Sequence, residues 1–313
     1  MNIQNYLYLY NYDTNESEIC KLESKSLFGK EEKDKILLSS IQINPSHSAF
    51  IKKRMDIIAI SEDYSALLAQ IKQKSIKSDG FKVEYIVLKD DTTKYDERLS
   101  KLRDIGYCIE GTPDYHQPVQ TYGVCFYEGV WYAGLLVKNS FDWHKHNQKP
   151  CSYSNSISTA IAKALVNIAT RGNRDTKVLD ACCGVGTILL EACFAGYSIA
   201  GCDINEKICD DARKNLAYFN YQAPVYHSDI QHISTQYDVA IVDLPYNLFS
   251  YADDQLMLHI IQSTARISKR LIILSISDIS SFIQQAGLQQ TDVCSLTKRR
   301  KANVTRTIWI CEK

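Results

Sequence analysis

From Lys177 onward, short apolar runs alternate with longer amphipathic stretches. Lys177-Val178-Leu179-Asp180 reads as a strand, Thr187 to Phe194 as a helix ended by Gly196, and Tyr197 to Cys202 as a second strand. Asn205 to Tyr218 has helical periodicity. Val225-Tyr226-His227, after Pro224, is a third strand and Tyr237 to Val242 a fourth. A helix over Asp254 to Ile267, a buried-type strand over Leu271 to Ile276 and a short helix from Ser280 to Ala286 complete the rhythm. Strands alternating with helices predict a parallel, doubly wound sheet. The last two runs, Leu288 to Leu296 and Val304 to Cys311, are separated by a basic stretch with no helix. They predict an antiparallel hairpin that closes the sheet.

The first 140 residues lack this alternation. The aromatic run Tyr6-Leu7-Tyr8-Leu9-Tyr10 is strand-like, helices fit Glu16 to Leu27 and Tyr64 to Lys74, and strands fit Lys82 to Leu88 and Val119 to Val137. The mixed order predicts a separate α+β region. Between Ser140 and Pro150 the chain becomes polar, with Trp143, His144, His146 and Lys149. The expected division is therefore 1–145 and 146–313, with the helix Ser156 to Thr170 opening the second domain. The fold class is α/β, with an α+β N-terminal region.

Composition narrows the class further. At 45% apolar and 23% charged residues the chain is an ordinary globular one, which sets aside disorder, collagen-like fibres and small disulfide scaffolds. Thirty-six basic and 36 acidic residues cancel, arguing against a strongly basic nucleic-acid protein but leaving room for a local basic patch. The 11 Cys are odd in number and scattered, with no Cys-x-x-Cys pair, so reduced and mostly buried thiols are expected. No apolar run approaches a membrane span, and the first residues lack a basic start followed by an apolar stretch. A cytoplasmic protein with no membrane association is the expectation.

The chemistry gathers at strand ends. Five of the 13 Gly fall between Gly172 and Gly201. Within that stretch Asp180-Ala181-Cys182-Cys183-Gly184-Val185-Gly186-Thr187 is a strand end, a turn and a helix start. Gly184 and Gly186 let backbone approach a ligand, and the helix start offers free N–H groups. The third glycine of a dinucleotide turn is replaced by Leu189, and no Gly-Lys-Ser/Thr occurs, which disfavours NAD, FAD and a phosphate loop. Asp180 would repel phosphate and suits a cationic ligand. Asp203 ends the second strand, where a carboxylate can face a ribose diol, and Asp229 ends the third, where one can accept from an adenine amino group. Cys182 and Cys183 are expected to be small pocket-wall residues. The fourth strand ends in Asp243-Leu244-Pro245-Tyr246-Asn247.

With that last motif the C-terminal half resembles a class I S-adenosylmethionine-dependent methyltransferase with a Rossmann-like fold, of the amino-methylating kind marked by Asp/Asn-Pro-Pro-Tyr. The resemblance implies donor contacts from Asp180, Cys182, Gly184, Gly186, Thr187, Asp203, Ile204 and Asp229. It implies S-adenosylmethionine as cofactor, S-adenosylhomocysteine as product, and no metal. It assigns the acceptor amine to Asp243, Leu244, Pro245 and Tyr246. The departure is Leu244, where the family usually has Pro and the rigidity a ring gives. Lys149-Pro150-Cys151-Ser152-Tyr153-Ser154-Asn155, the helix after it and Gly186 to Ala192 are similar to THUMP-containing RNA guanine-2-amino methyltransferases, in particular the group acting on guanosine 10 of tRNA. In that group the first of these segments helps close over the donor.

The weaker N-terminal likeness implies a ferredoxin-like piece plus a divergent THUMP-like domain that holds the tRNA acceptor end. Tyr246 and Asn247 are expected to meet tRNA, and the basic run with Lys298, Arg299 and Arg300 is either a phosphate contact there or a solvated hairpin tip. Lys52-Lys53-Arg54 is either a phosphate contact or a solvated face, and His144 and His146 are expected on a loop facing RNA or the donor. The alternatives are methylation of adenine N6 or of a protein glutamine, and a catalytically silent RNA-binding relative suggested by Leu244.

Overall fold

The computed structural model describes residues 5–89, 91–153, 156–245, 254–298 and 304–313, with the side chains of all these except 297, 298 and 304. Two compact units result. The first takes residues up to Asn11, Glu32–Ser46 and Ile51–Ser140. The second takes Tyr12–Glu31, His47–Phe50 and Phe141–Lys313.

In chain order the early elements are β1 (Tyr6–Tyr10), α1 (Ser17–Phe28), β2 (Ile36–Ser39), β3 (Ile51–Ser61), α2 (Tyr64–Gln73), β4 (Phe81–Tyr85), α3 (Tyr95–Gly106), β5 (Gln120–Tyr127) and β6 (Val130–Lys138). All but α1 build the first unit, a six-stranded sheet ordered β2-β1-β3-β6-β5-β4. Its pairs are antiparallel except β4 with β5. Leu67 and Ile71 of α2 and Ile105 of α3 share one buried cluster with Phe81, Val124, Trp131 and Ala133. The strands β2 and β3 and the helix α3 were not legible from periodicity. In β3 the reason is visible: Arg54 is buried, forks onto Asp56 and donates to the Ile43 carbonyl, so a charge sits where an apolar residue is expected. Lys53 and Lys138 both pair with Glu84, so Lys53 and Arg54 of the basic run serve the sheet.

The second unit adds α4 (Thr159–Thr170), β7 (Val178–Asp180), α5 (Thr187–Ala195), β8 (Ile199–Asp203), α6 (Glu206–Tyr218), β9 (Val225–His227), β10 (Tyr237–Asp243), α7 (Asp254–Ile267), β11 (Ser268–Ser275), α8 (Ser280–Gln285), β12 (Gln289–Lys298) and β13 (Val304–Glu312). The sheet order is β12-β13-β11-β10-β7-β8-β9. From β9 to β11 neighbours are parallel, β13 is antiparallel to β11, and β12 and β13 form the closing hairpin. Ile241, Val242, Ile272 and Ile273 are fully buried, as strands covered on both faces require. The strand order reverses between β7 and β10, and such a reversal opens a crevice at the carboxyl edge of the sheet.

The helix α1 packs in this second unit. Glu18 accepts from the Ser295 N–H, Lys25 pairs with Asp292, and buried Glu23 accepts from Ser48 and from Asn167 of α4. His146 also departs from expectation. It turns inward, with Nδ1 2.5 Å from Glu191 Oε1 of α5 and Nε2 3.2 Å from the Tyr221 hydroxyl. Lys163 of α4 holds the other carboxylate oxygen of Glu191 at 3.0 Å, and all three side chains are buried. A charge taken out of water needs such partners, and here they bind the polar junction segment to α4 and α5.

Candidate active site

At the sheet reversal lies a cavity of about 550 Å³. Its wall includes Asp180, Cys182, Gly184 and Thr187 from the end of β7 to the start of α5, Asp203 and Ile204 at the end of β8, Asp229 after β9, and Asp243, Leu244 and Pro245 at the end of β10. Seven of the eight residues expected to contact the donor therefore line one cavity. The eighth, Gly186, caps α5 with φ of 79°, and a Cβ there would lie 3.3 Å from Ala212. Both its left-handed backbone and its close neighbour favour glycine.

Asp180 is the most unusual group in the wall. It is fully buried, and neither carboxylate oxygen meets a hydrogen-bond partner of good geometry. Burial, then Asp243 and Asp203, push its carboxyl well above the usual range, against a weaker pull from the Cys182 amide. The Thr187 hydroxyl is buried and unpartnered as well. Buried polar groups are nearly always satisfied, so two orphans in one cavity wall mark a place for a donor-bearing or cationic ligand.

Asp203 is held from two sides. Gly184 N–H donates to one carboxylate oxygen at 3.0 Å and Asn205 N–H to the other at 2.9 Å. These bonds fasten the glycine turn to the end of β8 and leave a lone pair on each oxygen for hydroxyls in the cavity. Gly201 is the matching close approach, since a Cβ there would come within 3.0 Å of Cys183 and Leu189. Asp229 caps a short helical turn by accepting from Gln231 N–H, with His259 Nε2 of α7 3.6 Å away. Burial raises the Cys182 and Cys183 thiols, leaving them uncharged wall.

Asp243 ends β10 on the same rim. Burial pushes its carboxyl up to about 6, opposed by Arg306 of β13, whose Nη1 lies 3.6 Å from Oδ2. Leu244 explains the motif's departure. Its side chain is buried in the core, and its N–H donates to the Leu274 carbonyl at 3.0 Å. Proline has no N–H to give, so leucine exchanges ring rigidity for one more rung of the β10–β11 ladder and an apolar anchor. Tyr246, Asn247, Arg299 and Arg300 lie outside the described residues, as does the Lys298 side chain.

Sequence reasoning did not single out Ile157, Ile188, Ile208, Ser228, Ile230, Leu256 or His259, which also line the cavity. Most are apolar residues of ordinary helix faces, so nothing local distinguishes them from core.

Residues 146–291 match the family described as UPF0020, RMKL-like, methyltransferase domain. The second unit thus has the Rossmann-like fold of class I methyltransferases, and most of it matches this methyltransferase domain. Among curated proteins the chain is 28% identical over 117 residues to a tRNA (guanine(10)-N2)-dimethyltransferase of Methanothermobacter thermautotrophicus, covering 36% of this chain and 34% of that protein. It is 37% identical over 79 residues to the Pyrococcus abyssi protein of the same name, covering 25% and 23%. The chain therefore matches about a third or less of the length of these relatives. Among solved structures, TrmN from Thermus thermophilus aligns over 98% of this chain and 99% of its own at 13% identity, with a TM-score of 0.48.

The donor of such a domain, S-adenosylmethionine, is a cation with a ribose diol and an adenine. The cavity fits it: an orphaned carboxylate and hydroxyl, carboxylates at two further strand ends, and no Lys or Arg among the described lining residues. Asp180 and Thr187 would hold the amino-acid end, Asp203 the ribose and Asp229 the adenine. Among the described residues no group of three or more His, Cys, Asp or Glu is placed to hold a metal, and no helix is long and apolar enough to cross a membrane.

Proposed function

We propose that this chain transfers a methyl group from S-adenosylmethionine to the exocyclic 2-amino group of a guanosine in tRNA, at position 10. The observation that carries the reading is Asp243, set one strand beyond the donor carboxylates on the wall of the same cavity. The names of the curated relatives support guanine and tRNA.

The donor supplies an activated methyl on a sulfonium. The protein's part is to place and prepare the amine. An exocyclic amine conjugated to a purine has a poor, delocalised lone pair. The Asp243 carboxylate accepts one of its N–H bonds and the Leu244 main-chain carbonyl the other, which turns the lone pair toward the methyl. Fixing two reactants in line is the greater part of the rate gain. A carboxyl titrating near 6 is ionised at neutral pH and still attracts protons, so Asp243 also suits removal of the proton released after transfer. The target base leaves its stack to reach the cavity, with Tyr246 as the ring it stacks on. The first unit, ferredoxin-like plus THUMP-like in this reading, holds the tRNA acceptor end.

The test is to incubate an unmodified tRNA transcript with tritiated donor and analyse the nucleosides. Label in N2-methylated guanosine supports the reading, and Asp243→Ala should end transfer while donor binding persists. Label in adenosine, or bound donor with no labelled tRNA, overturns it.

A further inference from the structure

Asn215 sits on α6, outside the lining of the cavity, and is fully buried. Its amide ties together two segments far apart in sequence. Oδ1 accepts from the Cys151 N–H at 2.9 Å, and Nδ2 donates to the Cys151 carbonyl at 2.9 Å and to the Val185 carbonyl at 2.8 Å. Val185 is the residue between Gly184 and Gly186, and it lines the cavity. One helical turn earlier, Asp211 takes the next part of the same segment. Its two oxygens accept from the Tyr153 hydroxyl at 3.1 Å and meet the Cys151 thiol at 3.4 Å, while Lys214 pairs with it at 3.2 Å. Tyr153 in turn forms part of the cavity wall.

We propose that Asn215 and Asp211 are positioning residues that clamp residues 151–153 and the glycine turn to α6 as one body, so that donor affinity is set from outside the donor's own contacts. The inference rests on the donor reading above. The Asn215 amide has two donors and one acceptor oxygen, and all three find backbone partners. A side chain with fewer groups frees either the 151–153 segment or the Val185 carbonyl. The glycine turn is also fastened to β8 through Asp203 and Gly184. With Asn215 in place, the turn and the 151–153 segment have one shared position. Without it, the Tyr153 wall moves independently of the turn, and binding must order it at the donor's expense.

The experiment measures S-adenosylhomocysteine binding by calorimetry, and initial rates, for the whole 313-residue chain and four variants. Asn215→Ala should weaken binding by about tenfold or more, the equivalent of losing one or two buried hydrogen bonds. Turnover at saturating donor should change little, because the amine-holding rim is untouched. Truncating buried Asn215 costs folding stability, so Tyr153→Phe and Asp211→Ala probe the other end of the clamp, where the Tyr153 ring is exposed. Each should weaken binding severalfold, Tyr153→Phe without lowering the melting temperature of the ligand-free protein. Asp211→Asn, which keeps an acceptor for the Tyr153 hydroxyl, should restore most of the loss. Wild-type binding with unchanged affinity in folded Tyr153→Phe and Asp211→Ala proteins overturns the clamp and leaves the functional reading intact. A wild-type protein that takes up no S-adenosylhomocysteine overturns the functional reading, and the clamp with it.

Discussion

Replacing Asp243 by Asn should stabilise the folded protein at neutral pH while ending transfer. The carboxyl titrates at about 6 in the folded chain against 3.8 when solvated. A folded state that holds its proton more tightly gains stability at acid pH. It loses that gain as pH rises from 3.8 through about 6, where the unfolded chain ionises freely and the folded one does so at a cost. A gap of about two units corresponds to roughly 3 kcal/mol, at about 1.4 kcal/mol per unit. The attraction of Arg306 is already contained in that gap, since it opposes the burial that dominates. Asn is neutral in both states and escapes the cost. It also removes one of the charges that push Asp180 up. Thermal melts of wild type and Asp243→Asn at pH 4 and pH 7.5 give two differences to compare. Groups common to both proteins cancel in each. The variant's advantage should be small at pH 4 and reach several degrees at pH 7.5, at about 2–4 °C per kcal/mol for a domain of this size. An equal difference at both pH values, or a less stable variant at pH 7.5, would refute the idea that a buried, ionised Asp243 burdens the fold.

Arg306→Gln removes the cation facing Asp243, so the acid limb of the pH–rate profile should move upward by about one unit, as expected for a partly solvated pair; an unmoved limb would mean the pair does not act on the rate. Glu191→Ala leaves Lys163 buried without its carboxylate and should cost about 3–5 kcal/mol in urea unfolding, whereas a loss below 1 kcal/mol would contradict the burial described here. Leu244→Pro restores the family's usual residue at the loss of the bond to Leu274, so stability should fall by about 1 kcal/mol with methyl transfer retained; loss of transfer in a folded Leu244→Pro protein would show that this chain depends on the extra rung.

What could be read in the chain and what could not differ for a physical reason. The strands from β7 to β11 and the helices between them announce themselves because a parallel sheet buried on both faces demands unbroken apolar runs. A carboxylate at a strand end is equally visible, so Asp180, Asp203, Asp229 and Asp243 could be named from the sequence, and the structure places them around one cavity. The strand β3 and the helix α3 stayed hidden because their burial is partial and, in β3, because Arg54 is buried with its own partner, Asp56.

Local pattern therefore determined the alternating sheet, its closing hairpin and the chemical character of its rim. It could not say that α1 packs with α4 and β12, that His146 faces Glu191 instead of a ligand, or that Asn215 joins Cys151 to Val185. Those pairings connect residues dozens of positions apart, each with several polar partners within chemical reason. Only packing, which decides which buried donor meets which acceptor, selects among them.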